Sequence, residues 1–218
     1  MRLILFLLLF GFVACGQQIK KYVPDKKAMH LNDSAMQIVM HSNNDSDCQK
    51  AIILLDQATK IDTNYFMAFF HKLSGQLQLK QYSKALETAK HINWIRPNYI
   101  DAYVTVGILS EKLGDTVTAT KYYNLALDKY NKVLDTMNIT NRDYNMLLMY
   151  KGIDLILVGQ QAKGNKVLEQ LYNNSTDNNT SKEIYKELVT LFMNKSRKDI
   201  LENFFNPKTG EEVVNPNN

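Results

Sequence analysis

Apolar residues recur along this chain at steps of three and four, and almost nowhere in strict alternation. Between Ala119 and Met137 the stripe reads Ala119, Tyr123, Ala126, Tyr130, Val133, Met137, which places every member on one face of a helix. Phe69, Phe70, Leu73 and Leu77 make a similar face, as do Ala51, Leu55 and Ala58, and Ile184, Leu188, Leu191 and Phe192. Stretches of Asn, Asp, Ser and Gly separate these faces, for example 43–47 and 173–180, so the pattern predicts helices joined by short polar turns. No segment reads as a convincing strand, and the expected class is all-α. With four prolines, nine glycines and 45% hydrophobic residues, the chain has few breaks and enough apolar surface for a continuous core.

The faces repeat at a longer interval. Ala51, Ala85 and Ala119 each open a second helix and are spaced by 34 residues, a period that one helix or strand cannot generate but stacked helical hairpins do. Tyr103, Val106, Gly107, Ser110, Ala119 and Tyr123 resemble the tetratricopeptide-repeat pattern W-x2-L-G-x2-Y followed by A-x3-F, with Tyr103 in place of Trp and Ser110 in place of Tyr. The resemblance implies an α-solenoid of about four hairpins whose inner curve binds partner proteins. The repeats fall at 32–65, 66–99, 100–133 and 145–178, with the late Pro of the motif met by Pro97 and replaced by Thr63 one period earlier. Trp94 and Ile95 are expected to pack against the following repeat.

The fourth repeat is displaced. Gly152, Gly159, Gly164, Leu168 and Leu171 reproduce the spacing of Gly107, Gly114, Ala119, Tyr123 and Ala126, but 45 residues later. A helical extension at 134–144 accommodates the insertion, and the continued stripe predicts two lengthened helices forming an arm with its tip near Asn138 to Arg142. Thr140-x-x-Asp143 and Thr180-x-x-Glu183 resemble capping boxes, and Ser196-x-x-Asp199 is a further helix start. The last two start C-terminal capping helices within 179–205, ahead of a tail at 206–218 expected to be flexible. In 43–47 the oxygen-rich run is a polar turn with an Asp cap, because the Gly and terminal Glu of a calcium loop are replaced by Cys48 and Leu54.

Residues 1–14 have a basic start and an apolar run from Leu3 to Val13, too short to span a bilayer and typical of a secretory signal. Phe12-Val13-Ala14-Cys15 resembles the lipobox of bacterial lipoproteins, which implies that Cys15 carries lipid and that 15–31 is a polar tether; Gly16 resembles the next residue of lipoproteins sent to the outer membrane. Asp33-Ser34-Ala35, Asp115-Thr116-Val117 and Asp135-Thr136-Met137 resemble the short O-glycosylation motif of Bacteroidetes envelope proteins, although each also reads as a helix cap. Together these features resemble a tetratricopeptide lipoprotein of a Gram-negative, Bacteroidetes-like cell envelope.

Charge and chemistry narrow the function. Lys and Arg number 26 against 22 Asp and Glu, an excess too small to suggest nucleic acid. His30, His41, His71 and His91 form no metal-binding spacing, Cys48 reads as a structural thiol, and no phosphate loop or nucleophile elbow occurs, so neither an enzyme, a cofactor nor a small-molecule substrate is expected. The family's alignment makes Met36, Met40, Phe70, Val104, Ile108, Met149, Ile153 and Ile156 the inward positions, with Thr105, Glu111 and Lys112 beside them. This apolar strip lacks the Lys, Asn and Arg with which some family members hold acidic peptides. Two occupants fit it: an apolar or amphipathic segment of an envelope protein, or the protein's own C-terminal helix, which would make the chain an architectural subunit of a larger complex.

Overall fold

The computed structural model describes residues 22–41, 44–139, 143–174 and 180–206. Among them ten helices follow one another and no strand occurs: α1 (Lys26–His41), α2 (Asp45–Ile61), α3 (Phe66–Gln78), α4 (Tyr82–Ile95), α5 (Ile100–Lys112), α6 (Thr116–Thr136), α7 (Tyr144–Leu157), α8 (Gln161–Asn174), α9 (Thr180–Phe192) and α10 (Arg197–Phe205). From α1 to α9 each helix packs on the next, and α1 also touches α3, giving four hairpins stacked in series. α9 and α10 turn back onto α7. The fold is an α-solenoid of helical hairpins.

Small residues let the helices approach. Ala28, Ala35, Ala58, Ala68, Ala85 and Ala89 are fully buried at the helix crossings. In the third hairpin a Cβ on Gly107 would lie 2.6 Å from Tyr123 Cδ1, so the missing side chain is what admits the fully buried tyrosine ring. The fourth hairpin uses the same device twice: a Cβ on Gly152 would meet Leu168 Cδ2 at 3.1 Å, and one on Gly164 would meet the Gly152 carbonyl oxygen at 2.5 Å.

The turns inside hairpins two, three and four close alike. A backbone bond spanning five residues runs from Gln81 N to Gln76 O, from Asp115 N to Ser110 O and from Gln160 N to Leu155 O, at 2.8 to 2.9 Å. This closure needs one left-handed residue, supplied by Gly114 (φ 87°) and Gly159 (φ 89°) but by Lys80 (φ 54°) in the second hairpin.

Several expectations need correction. The stretch read as tether is folded from Tyr22 onward: Asp25 Oδ1 accepts from the backbone of Lys27 and Ala28 to start α1, and Tyr22 Oη and Asp25 N both donate to Asp62 Oδ2. Ala28 is thereby buried in the first hairpin, and Pro24 lies two residues ahead of α1. Asn44, not an aspartate, caps α2, accepting from Asp47 N at 2.9 Å. Trp94 is 67% exposed, because Ala85, Ala89 and Ile92 occupy the core face of α4 and a residue two positions beyond Ile92 points away from it. The insertion lengthens α6, which has 21 residues against 14 in α4, while α7 with 14 keeps the ordinary length and the rest enters the connection. The extra turns are not a free arm: Tyr130 and Leu134 are buried against Ile100, Tyr144, Leu147 and Leu148. On α9, Val189 carries the core contact and Leu191 is 46% exposed. The helix start expected at Ser196 is present, and Ser196 and Asp199 form a capping box there, with Asp199 Oδ2 accepting from Ser196 N at 2.9 Å. Residues 1–21, with Cys15, and Thr140 to Arg142 lie outside the described residues.

Candidate protein-binding groove

The first helices of the hairpins, α1, α3, α5 and α7, supply one face of the stack, and their apolar strip divides into an open and a covered part. At the open end a cavity of about 410 Å³ lies between α1, α2 and α3, with Met36, Val39, Phe70 and His71 in its walls and Cys48 and Ile52 beneath. Met40, one turn beyond Met36, is 79% exposed. Phe70 is half-buried and held by Phe66 at 5.9 Å and edge-on by Tyr99 at 6.4 Å. His71 Nδ1 lies 2.7 Å from the buried Asn32 Oδ1, and desolvation holds the imidazole below its usual range, favouring the neutral ring. Burial pushes the Cys48 thiol up, and its Sγ rests on the Gly75 carbonyl, as suits an inert structural cysteine.

The other end is roofed. Ile108 (4% exposed) packs in one cluster with Val189 of α9 and Ile200 of α10. A cavity of about 350 Å³ remains between α5 and α7 below and α9 and α10 above; Val104, Ile153 and Leu157 line its floor, Tyr130 its base, and Phe192 and Phe204 its roof. Asp101 stands at its rim, its carboxyl raised by desolvation.

One polar clamp fixes this roof. Arg197, the first residue of α10, donates from Nε to Leu157 O at 2.6 Å and pairs with both carboxylate oxygens of Glu111 at 2.5 and 2.6 Å. Glu111 also accepts from Tyr123 Oη at 3.0 Å, tying the clamp to the ring that Gly107 admits. At the far end of α10, Phe205 meets the Tyr82 ring edge-on at 5.1 Å and lies under Lys112 Nζ at 4.7 Å.

The inward positions named from sequence therefore separate. Met36, Met40 and Phe70 stand at the open end, whereas Val104, Ile108 and Ile153 line the covered cavity. Met149 (3% exposed) and Ile156 (0%) are unavailable to any partner, since they share the face of α7 that carries Gly152 and turns to α8; Gly164 is the residue opposite Ile156. Leu157, one position on, faces the cavity instead and follows Ile153 by four residues, a spacing that could have identified it. Nothing in the sequence marked Arg197.

Among the described residues no three His, Cys, Asp or Glu side chains come together as metal ligands. Asp154 is fully buried with neither oxygen hydrogen-bonded, desolvation pushes it up to about 8, and its charge acts on Tyr123 and Tyr130 of α6. No described helix is long and apolar enough to cross a membrane.

No family model matches this chain. It is similar to the Hsp70-Hsp90 organising protein of Plasmodium falciparum, at 29% identity over 79 residues, which is 36% of this chain but 14% of that protein. The chain thus spans a small part of the length of this relative. The similarity and the all-helical stack are compatible with tetratricopeptide-like repeats.

Proposed function

We propose that the protein is a lipid-anchored scaffold of the cell envelope that takes an apolar or amphipathic segment of another protein against the open end of its inner face. The observation that carries this reading is the apolar edge formed by half-buried Met36 and exposed Met40 beside a cavity of about 410 Å³, whose described lining residues include no Lys or Arg to hold an acidic peptide. Methionine adapts to varied partner shapes. The relative's name describes a protein that organises two others, which supports a protein or peptide partner, and an all-helical stack of this kind resembles adaptors that perform no catalysis. Cys15, in its lipobox-like setting, is the proposed lipid attachment, with the outer membrane as the proposed location.

Crosslinking in membranes, comparing Met36→Glu/Met40→Glu with wild type, tests the groove: the variant should lose one or more crosslinked partners, and an identical partner set removes the groove from the account. Cys15→Ser tests the anchor, since a variant that stays in the membrane fraction rejects it.

A second reading has its own support. The self-covered end of the strip favours an architectural role there, with α10 acting as the protein's own occupant over α5 and α7.

A further inference from the structure

α10 sits on its seat as a ligand would. Its Arg197 is read by the paired oxygens of Glu111 and by the Leu157 carbonyl, Ile200 is 4% exposed one turn on, and Phe205 lies between Tyr82 and Lys112 two turns on. A bidentate arginine pair, an apolar anchor and an aromatic held by a cation form three separated recognition points along one helix face. Yet the helix fills the seat poorly. About 350 Å³ remains open between it and α5 and α7, and Phe204 in the roof is 36% exposed. With nine residues, α10 is also too short to be stable as a helix unless docked. An occupant with specific end contacts and an unfilled middle can be replaced by one that fills the middle.

We propose that this seat is an exchangeable recognition site for an amphipathic helix of a partner protein carrying Arg, an aliphatic residue three positions on and Phe eight positions on, with α10 the resident it displaces. The proposal rests on the scaffold reading above and adds a second docking place, whose partner chemistry is written in Arg197, Ile200 and Phe205. Glu111 selects the cation, the apolar floor selects the middle residue, and a bulkier side chain than Ile200 there enters the vacant volume. Release of α10 uncovers Ile108 and Leu157, so the seat is closed until such a helix competes for it.

A fluorescein-labelled peptide of residues 194–206 serves as the probe, with anisotropy measured against the full chain. Wild type should bind it weakly, an Arg197→Glu/Phe205→Ser chain at least tenfold more tightly, and the same chain with Glu111→Gln at least tenfold less tightly than its parent. Helix content by circular dichroism verifies that each variant is folded. Hydrogen exchange on wild type provides an independent measurement: an excess of isotopically heavy peptide should speed exchange in the chain's own 197–205. Binding equal in wild type and the released variant, binding indifferent to Glu111→Gln, or unchanged exchange in wild type would each overturn the proposal. A dimer in which two copies trade α10 would overturn it as well, by making the occupant another copy of the chain. Met36→Glu/Met40→Glu should leave peptide binding unaltered, so that failure at either end of the inner face is attributable to that end.

Discussion

Glu111 and Arg197 lie 86 residues apart in sequence and are joined by two contacts of 2.5 and 2.6 Å, a bidentate ion pair that ties the last helix to the third hairpin. The same carboxylate holds the Tyr123 hydroxyl, and Tyr123 occupies the notch left by Gly107. The hairpin's internal fit and the placement of its cover therefore depend on one set of side chains. Since Arg197 is 40% exposed and Glu111 16%, the pair fixes orientation more than it adds stability.

Gly107→Leu should lower stability by about 1–3 kcal/mol, because even its Cβ enters the space of a fully buried ring that cannot shift without releasing Glu111. Thermal denaturation tests this, and an unchanged melting temperature contradicts the close approach.

Lys80→Gly should raise stability by about 1 kcal/mol, since a residue with a Cβ at φ 54° bears a conformational cost that glycine avoids at the matching positions 114 and 159. Urea denaturation should show a higher midpoint with an unaltered slope. A lower midpoint would mean that the Lys80 side chain contributes more than its backbone costs.

Asp154 predicts an unusual pH dependence. Its folded carboxyl titrates at about 8 against 3.8 for an ordinary aspartate, so the folded chain holds a proton that the unfolded chain has lost. Stability attributable to this group is full below about pH 4 and declines by up to about 1.4 kcal/mol per pH unit as pH rises, levelling off above about 8. Asp154→Asn should flatten the decline. Denaturation midpoints across pH 5 to 9 that run parallel in the two chains would refute it.

Ser196→Ala removes one half of the capping box and should weaken α10 by about 1 kcal/mol. Faster hydrogen exchange confined to 197–205, with α1 to α8 unchanged, is the expected reading. An effect spread through the stack would show that α10 does not open separately.

The single tryptophan makes a further check simple. Trp94 is 67% exposed, so Trp94→Ala should change stability by less than about 0.5 kcal/mol, and native emission should be readily quenched by acrylamide. Shielded emission would place it in the core after all.

Hairpins were legible because each writes its own signature locally: the 34-residue recurrence of Ala51, Ala85 and Ala119, and the glycine opposite a large ring or leucine. What sequence spacing left unread was azimuth. Ile156 and Leu157 differ by one position, about 100° around a helix; the four-residue step from Ile153 points to Leu157, and the packing of Gly164 on Ile156 shows which of the two turns away from the cavity. Trp94 misleads for the same reason, as a large apolar residue next to a core face. The Arg197 clamp was invisible, since a bond between the last helix and α5 leaves no periodic trace.

The added length of α6 has an implication for assembly. In a stack of equal hairpins, any unit can dock wrongly on any other, a recognised failure of repetitive chains. Seven further residues extend α6 by roughly 10 Å, and its Tyr130 and Leu134 accept only a neighbour that begins where Tyr144 does. That mismatch works as a key: the fourth hairpin has one address, behind the third, and the cover that follows it arrives over α5 by consequence.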